Sequence, residues 1–402
     1  MLLGDSPSTK KLISSATQPS TISNPNDVND FFHTGPNTLA GKYLRRFWQP
    51  VYQVTDLNIG WTVPVNMLGE NLTLFRGSSG KFYLVGNRCA HRGTQLSTGI
   101  VDGEGLRCAY HGWKYDAEGL CIDQPSEPRS FDRPLKIAGY PCREYLGLVF
   151  AYMGEGVPPS MPSFPHFEND GVVVSHRIVW PFNYFQHLEN AIDEVHIGFL
   201  HAKSPYQGGI NDEVPVISTE ESKFGLVQYG TRSKGVKRAT NYFMPNLTSW
   251  CQPPAYPAET AWRDMLGWRV PTGDHSHVTY TVTHAHLTPD HHEAFLAYRQ
   301  KEWDELARMT PVEDITDEVL SGRMRFGDIP YRGSGADMTR IQDRIIMMGQ
   351  GPIVAREHEN LGEADIAIKL LRKIWARELT ALRDGLPMKN WARSMPPPKS
   401  GL

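Results

Sequence analysis

The sequence predicts an α+β chain in two parts, all-β first and mixed afterwards. At 402 residues it is more than twice the length of a typical ~150-residue domain. From about 38 to 152 it reads as short β segments between Gly, Asn and Asp turns. Beyond about 170, strand-like runs alternate with helical patterns. Between the two regimes stand Pro158, Pro159, Pro162 and Pro165, which interrupt ladders and helices alike.

Taken in order, the opening residues are rich in Ser, Thr, Pro and Asn with little to bury, and 1–34 reads as a flexible tail. MLLGDSPS lacks the apolar core of a secretory signal. The Arg45-Arg46 pair is followed by FWQPVYQV rather than a long apolar run, so it reads as a basic pair at a domain entrance, not an export signal. A first domain over 35–155 then takes its strands from WTVPVNML, NLTLFRG, KFYLVGN, GLRCAYHG and LGLVFAYM. MGEGVPPSMPSFPHF is the inter-domain connection. In a second domain, 156–402, GVVVSHRIVW and SHVTYTVTHAH read as strands. Leu370, Leu371, Ile374, Trp375, Leu379 and Leu382 repeat at helical spacing and mark the clearest helix.

Composition excludes several classes. Hydrophobic residues at 40% and charged residues at 21% are ordinary globular usage. Forty-one basic against 44 acidic side chains, net −3, is no basic field for nucleic acid. No stretch approaches the ~20 apolar residues a spanning helix needs, so no membrane role is expected. Five cysteines are too few, and odd in number, for a disulfide framework, which points to a reducing, cytoplasmic setting. A cysteine with a task is then a metal ligand or nucleophile; Cys121, Cys142 and Cys251 lack ligand spacing and read as structural thiols.

Residues 88–113, RCAHRGTQLSTGIVDGEGLRCAYHGW, carry the strongest signal. Cys89 and His91 form a C-x-H pair, Cys108 and His111 a C-x-x-H pair, and each loop ends in a glycine turn at Gly93 or Gly112. One thiolate and one imidazole per loop is the ligand set of a [2Fe–2S] centre with two Cys on one iron and two His on the other. A Cys₂His₂ zinc site accepts the same residues, but its usual loops hold two Cys together and then two His.

A second constellation lies in NYFQHLENAIDEVHIGFLH. Glu189, Asp193 and His196 share a helical face at i, i+4, i+7. His201 lies five residues beyond His196, so the helix should end or loosen between them, with Gly198 placed for the break. Two His and one carboxylate leave open positions on non-haem Fe(II). If Asp193 is otherwise used, the carboxylate candidate is Asp343 in ADMTRIQDRIIMMGQGPI, off the apolar stripe of Met338, Ile341, Ile345 and Met348; spacing alone does not prefer it to Asp328 or Asp337.

Other features tempt a functional reading. His284 and His286 would share a strand face, yet without a carboxylate or Cys partner they are expected to pair with backbone or water. Lys234, Lys237 and Arg238 read as a solvated turn, with a substrate-gripping Arg238 as the alternative.

These residues together resemble the Rieske non-haem iron oxygenases, in particular their catalytic α subunits and the group that includes phthalate and phenoxybenzoate dioxygenases. The resemblance covers about 35–385 and is carried by TGPNTLAGKYLRRFWQPV, RCAHRG…CAYHGWKYDAEG, NYFQHLENAIDEVHIGFLH and QDRIIMMGQGPI. It implies a Rieske β domain followed by a helix-grip domain of antiparallel sheet and helices. It assigns Cys89, His91, Cys108 and His111 to the cluster and His196, His201 and Asp343 to mononuclear iron. Asp193 matches the family's bridging aspartate between cluster and iron ligands of adjacent subunits. The implied assembly is a homotrimer or a multiple of it. The implied activity is O₂-dependent mono- or dioxygenation of an aromatic or related substrate. Electrons would come from NAD(P)H through a separate flavin or iron–sulfur reductase, since this chain has no G-x-G-x-x-G loop. The rival is a Rieske electron carrier, which needs only about 100–120 residues and leaves the second domain without a task.

Overall fold

The computed structural model describes residues 24–394, apart from 126, 130, 132, 203–212, 234–236 and 332–334. Most of the expected tail therefore lies outside the described residues. Its last residues are not tail-like, because Phe31 is buried against Phe185, with ring centres 5.0 Å apart.

The first half is built from β1 (Gln49–Gln53), β2 (Thr62–Met67), β3 (Glu70–Arg76), β4 (Phe82–Gly86), β5 (Ile100–Asp102), β6 (Gly105–Arg107), β7 (Lys114–Tyr115), β8 (Cys121–Asp123), β9 (Gly139–Tyr140), β10 (Cys142–Tyr145) and β11 (Leu148–Ala151). They form three antiparallel sheets in the orders β1-β11-β10, β2-β3-β4-β9 and β5-β6-β7-β8. One α-helix, besides two short 3₁₀ turns, departs from an all-β reading. Leu39–Leu44 is a helix, α1, because Thr38 Oγ1 accepts from Gly41 N–H at 3.1 Å and so caps it, while Leu39, Tyr43 and Leu44 bury its apolar side.

The second half centres on one seven-stranded antiparallel sheet. Its strands are β12 (Val172–Trp180), β13 (Val216–Glu221), β14 (Gly225–Thr231), β15 (Lys237–Phe243), β16 (Leu247–Gln252), β17 (Arg263–Gly273) and β18 (Ser276–Ala285). The order is β12-β18-β17-β16-β15-β14-β13. Around it run α2 (Tyr184–Ala191), α3 (Val195–Leu200), α4 (His292–Leu306), α5 (Val312–Leu320), α6 (Gly335–Gly349) and α7 (Ile366–Arg383). The helical spacing in the last segment buries Leu371, Ile374, Trp375 and Leu379 against the sheet. Trp375 meets Phe185 of α2 edge-on at 5.5 Å, and its Nε1–H donates to Tyr242 Oη at 3.0 Å, which satisfies the buried indole.

The proline-rich connection between the halves is pinned at both ends of its run. Trp48 Nε1–H donates to Pro159 O at 2.8 Å, and Phe164 and Phe167 are buried. Direct contacts also cross: Leu68 N–H donates to Pro271 O (2.8 Å), Tyr280 Oη–H to Val51 O (2.6 Å), and Phe150 packs edge-on to Trp268 at 5.5 Å.

A buried imidazole pair gives the fold a pH dependence. His277 Nδ1–H donates to Phe182 O at 2.8 Å, which leaves its Nε2 to accept from His187 Nδ1–H at 2.8 Å. Burial pushes His277 down to about 3 and His176 down to about 4, and His187 well below its ordinary value. The unfolded chain takes up these protons near pH 6.5 and the folded chain does not. Stability is therefore full above pH 6.5 and should fall by roughly 1.4 kcal/mol per pH unit per histidine as pH drops toward about 4. Denaturant unfolding at pH 7.5, 6 and 5 checks this; a midpoint unchanged over that range would contradict it.

Candidate metal centres

The first constellation sits on two loops of matched construction. Gly93 N–H donates to Cys89 O at 2.9 Å and Gly112 N–H to Cys108 O at 3.0 Å, so each cysteine opens a turn that a glycine closes. Those glycines have φ of 73° and 75°, the left-handed region that side chains disfavour. Both thiols are buried, and burial together with the adjacent Cys89 holds the Cys108 thiol above its ordinary value. The imidazoles form the second pair: His91 and His111 have ring centres 4.5 Å apart at 67°. His91 stacks on Trp113 at 4.6 Å and 8°, which fixes its plane, and its Nδ1 is buried with no hydrogen bond. Tyr115 Oη accepts from Ala90 N–H at 2.8 Å and lies 3.1 Å from Cys89 Sγ.

The second constellation is brought together from three places in the chain. The continuous helical face expected for Glu189, Asp193 and His196 does not form. The helix instead breaks at 192–194, where Asp193 Oδ1 accepts from Val195 N–H (2.9 Å) and His196 N–H (3.3 Å) and starts α3. Gly198 stays helical, and His201 is reached as the residue that ends α3. Glu189 faces elsewhere and pairs with Arg356 (2.7 Å) and Arg372 (2.6 Å).

His196, His201 and Asp343 converge, each offering a donor atom within 4.8 Å of the others. Asp343 Oδ1 lies 3.1 Å from His201 Nε2 and 3.9 Å from His196 Nε2. Of the alternatives open in the sequence, Asp337 pairs with Arg340 and Asp328 with Arg325. Burial pushes the Asp343 carboxyl up, but His201 and His196 outweigh it and hold it below its ordinary value. Burial likewise lowers His196, whereas the charge of Asp343 overcomes burial and raises His201.

Residues 47–141 match the Rieske [2Fe-2S] domain family. Over 380 residues the chain is 30% identical to the tert-butanol monooxygenase / tert-amyl alcohol desaturase oxygenase subunit of Aquincola tertiaricarbonis, covering 86% of this chain and 75% of that one. The chain belongs to the Rieske oxygenase catalytic subunits. Phenoxybenzoate dioxygenase subunit alpha of Ectopseudomonas oleovorans is 29% identical over 374 residues, covering 87% of this chain and 83% of that one. Among solved structures, the Pseudomonas putida CBB5 NdmA QL mutant with caffeine shares the fold at a TM-score of 0.63 and 21% identity, covering 85% of this chain and 93% of that one. This Rieske oxygenase is thus an oxidoreductase with an all-β Rieske domain and a larger domain of antiparallel sheet and helices.

The donor sets of the oxygenase fit the metals its family implies. Two ligands ~2.1 Å from one ion at right angles lie about 3 Å apart, close to the 3.1 Å between Asp343 Oδ1 and His201 Nε2. His201 Nδ1–H donates to Gln342 Oε1 at 2.8 Å, so Nε2 keeps its lone pair on the side of Asp343. Asp343 Oδ1, which faces His201 Nε2 and His196 Nε2, is buried without a hydrogen bond, a state that a cation shared with them relieves.

Several supporting residues were not singled out in the sequence. Gln342 is one; its position beside Asp343 on a helix says nothing of a histidine 141 residues earlier. Glu194 is another. Its carboxylate takes Arg232 Nη2 at 3.0 Å and Arg238 Nη1 at 2.6 Å, tying the α2–α3 break to the sheet. Arg238 is therefore neither in a solvated turn nor free to grip a substrate: it lies in β15, mostly buried, with its charge used by Glu194. Lys234 lies outside the described residues. The Glu194 side chain fits only because residue 230 on β14 is glycine, where a Cβ would stand 2.5 Å from Glu194 Cγ. Gly230→Ala should displace Glu194, cost about 1–3 kcal/mol and lower mononuclear iron occupancy while the cluster loads normally. Iron and sulfide analysis against wild type checks it; full iron retention would show the break is anchored otherwise.

Asp343 also lines a cavity of about 230 Å³ with Trp180, His187, Trp250, Arg269 and Thr281. Arg269 is buried, donates to Thr248 Oγ1 and Gly267 O, and has no carboxylate within ion-pair distance among the described residues.

Proposed function

We propose that this chain is the terminal oxygenase component of a multicomponent Rieske system. It uses O₂ and electrons relayed from NAD(P)H through a flavin or iron–sulfur reductase to hydroxylate, dihydroxylate or O-dealkylate an aromatic substrate. The observation that carries this is the convergence of His196, His201 and Asp343 at the wall of a cavity with an aromatic and cationic lining. In this reading 35–155 carries the cluster on Cys89, His91, Cys108 and His111, and 156–402 holds the iron. When bound, the cluster supplies electrons and the mononuclear iron the O₂-activating chemistry.

The protein's own groups do the rest. His201, fixed by Gln342, and His196, held in the first turn of α3, present neutral imidazoles, and Asp343 supplies the one anionic ligand. Trp180 and Trp250 offer flat apolar walls for an aromatic ring. Arg269, buried at the cavity with Asp343 acting on it only at a distance, supports a substrate with a carboxylate or other anionic group.

Electrons pass, on this proposal, between subunits of a homotrimer or a multiple of it, through Asp193. Its Oδ2 lies 3.7 Å from His196 Nδ1, and the side chain is part-exposed, so it can also accept from His111 of a neighbouring subunit. Exposed apolar side chains near each centre, Tyr110 beside His111 and Phe199 on α3, support a covered surface there. A cytoplasmic setting is supported by a cysteine count too low, and odd, for a disulfide framework; no described helix is long and apolar enough to cross a membrane.

Substrate-dependent NAD(P)H and O₂ consumption with a surrogate reductase, over aromatic acids, ethers and amines, tests the function; consumption with no oxygenated product from any class would refute it. Asp193→Asn tests the route. Both metal centres should still load, and cluster oxidation after mixing pre-reduced, substrate-bound protein with O₂ should slow by orders of magnitude. Oxidation at the wild-type rate would remove Asp193 from the electron path.

A further inference from the structure

A second group of ligand-type side chains lies on the seven-stranded sheet, apart from the residues assigned to the two centres above. Cys251 on β16 stands opposite Asp264 on β17, and Asp264 stands opposite His284 on β18, so the three side chains form a row on one sheet face. His286, two residues on, completes the group: its Nε2 is 2.9 Å from Asp264 Oδ2, and its ring centre is 4.6 Å from that of His284. Asp264, His284 and His286 offer donor atoms within 4.8 Å of one another. The strand histidines were expected to pair with backbone or water; His284 does so, on Asp170 O, whereas His286 meets the Asp264 carboxylate.

His286 and Asp264 hydrogen-bond each other at 2.9 Å, but the bonding leaves one nitrogen of the group unmet. His284 Nε2–H donates to Asp170 O at 3.1 Å, and a carbonyl can only accept. That fixes the tautomer and leaves Nδ1 as a bare lone pair, buried and without a hydrogen bond. An outward N–H on a backbone carbonyl is how ligating histidines are held in metal sites. A desolvated ring nitrogen with nothing to bind is costly, and a metal ion would satisfy it.

We propose that Asp264, His284 and His286 form a further site for a divalent ion of the zinc type, distinct from the cluster and from the mononuclear iron. Imidazole and carboxylate donors suit such an ion. Bound there, it would tie β17 to the end of β18, whose His284 holds Asp170 O, a structural role rather than a catalytic one.

The test uses the iron-loaded protein equilibrated with micromolar Zn²⁺, desalted, and analysed for metals. Wild type should retain about one zinc per chain in addition to its iron, and its Tm should rise with zinc. His196→Ala should keep this zinc. Asp264→Asn and His286→Ala should each weaken it at least tenfold with an unchanged cluster spectrum. His286 is partly exposed, so its variant is the one least able to disturb folding. No zinc beyond the iron sites, zinc lost in His196→Ala, or zinc unaffected by Asp264→Asn and His286→Ala would each overturn the proposal.

Discussion

Asp343→Ala should empty the mononuclear site and lower product formation by at least about 100-fold, while leaving a cluster that reduces and reoxidises normally. The size follows from what the residue does. Among the described residues it is the carboxylate that faces both His196 and His201, at 3.9 and 3.1 Å, and alanine leaves two neutral imidazoles to hold a dication. Losing even the partner that orients a ligand costs 10–100-fold in metal affinity, and losing the ligand costs more. Gln342→Leu should fall in that smaller range, because it frees the His201 tautomer without removing a donor. Iron content, visible spectrum and product yield, measured together, separate these outcomes. Wild-type turnover in Asp343→Ala would move the carboxylate role elsewhere.

Cys108→Ser should abolish the cluster and, with it, all turnover driven by the reductase. Serine cannot supply the soft thiolate that an Fe–S centre requires. The loop should survive, because its closing bonds are backbone ones, Gly112 N–H to Cys108 O and Cys108 N–H to Trp113 O at 2.8 Å. The protein should therefore be colourless yet folded, and still able to take up iron at His196, His201 and Asp343. A normal visible spectrum in this variant would refute the cluster assignment.

How much of this was legible in the sequence differs between the two centres. The cluster loops were readable because ligands and turn glycines lie within a few residues of one another, and local geometry decides them. The mononuclear site was only partly so. Its histidines are close in sequence, but the helix was expected to loosen at Gly198 and instead breaks before His196. The reason is Asp193, whose side chain caps α3, and Glu194, whose two arginines come from β14–β15 territory far along the chain. Periodicity has no access to such pairs. For the same reason Asp343 could not be separated from Asp337 and Asp328 by spacing, and Arg238 was expected in solvent. The short helix α1 was missed because six residues are too few for a period, and its cap is the only local sign.

The central claim is that one chain carries both a [2Fe–2S] cluster and a separate mononuclear iron. Iron and acid-labile sulfide analysis of the anaerobically purified protein tests it most directly. About three iron and two sulfide per chain are expected, falling to about two iron and two sulfide in Asp343→Ala and to about one iron and no sulfide in Cys108→Ser. One zinc per chain at the Cys89 and Cys108 loops with no sulfide, or an iron content unchanged by Asp343→Ala, would contradict the account.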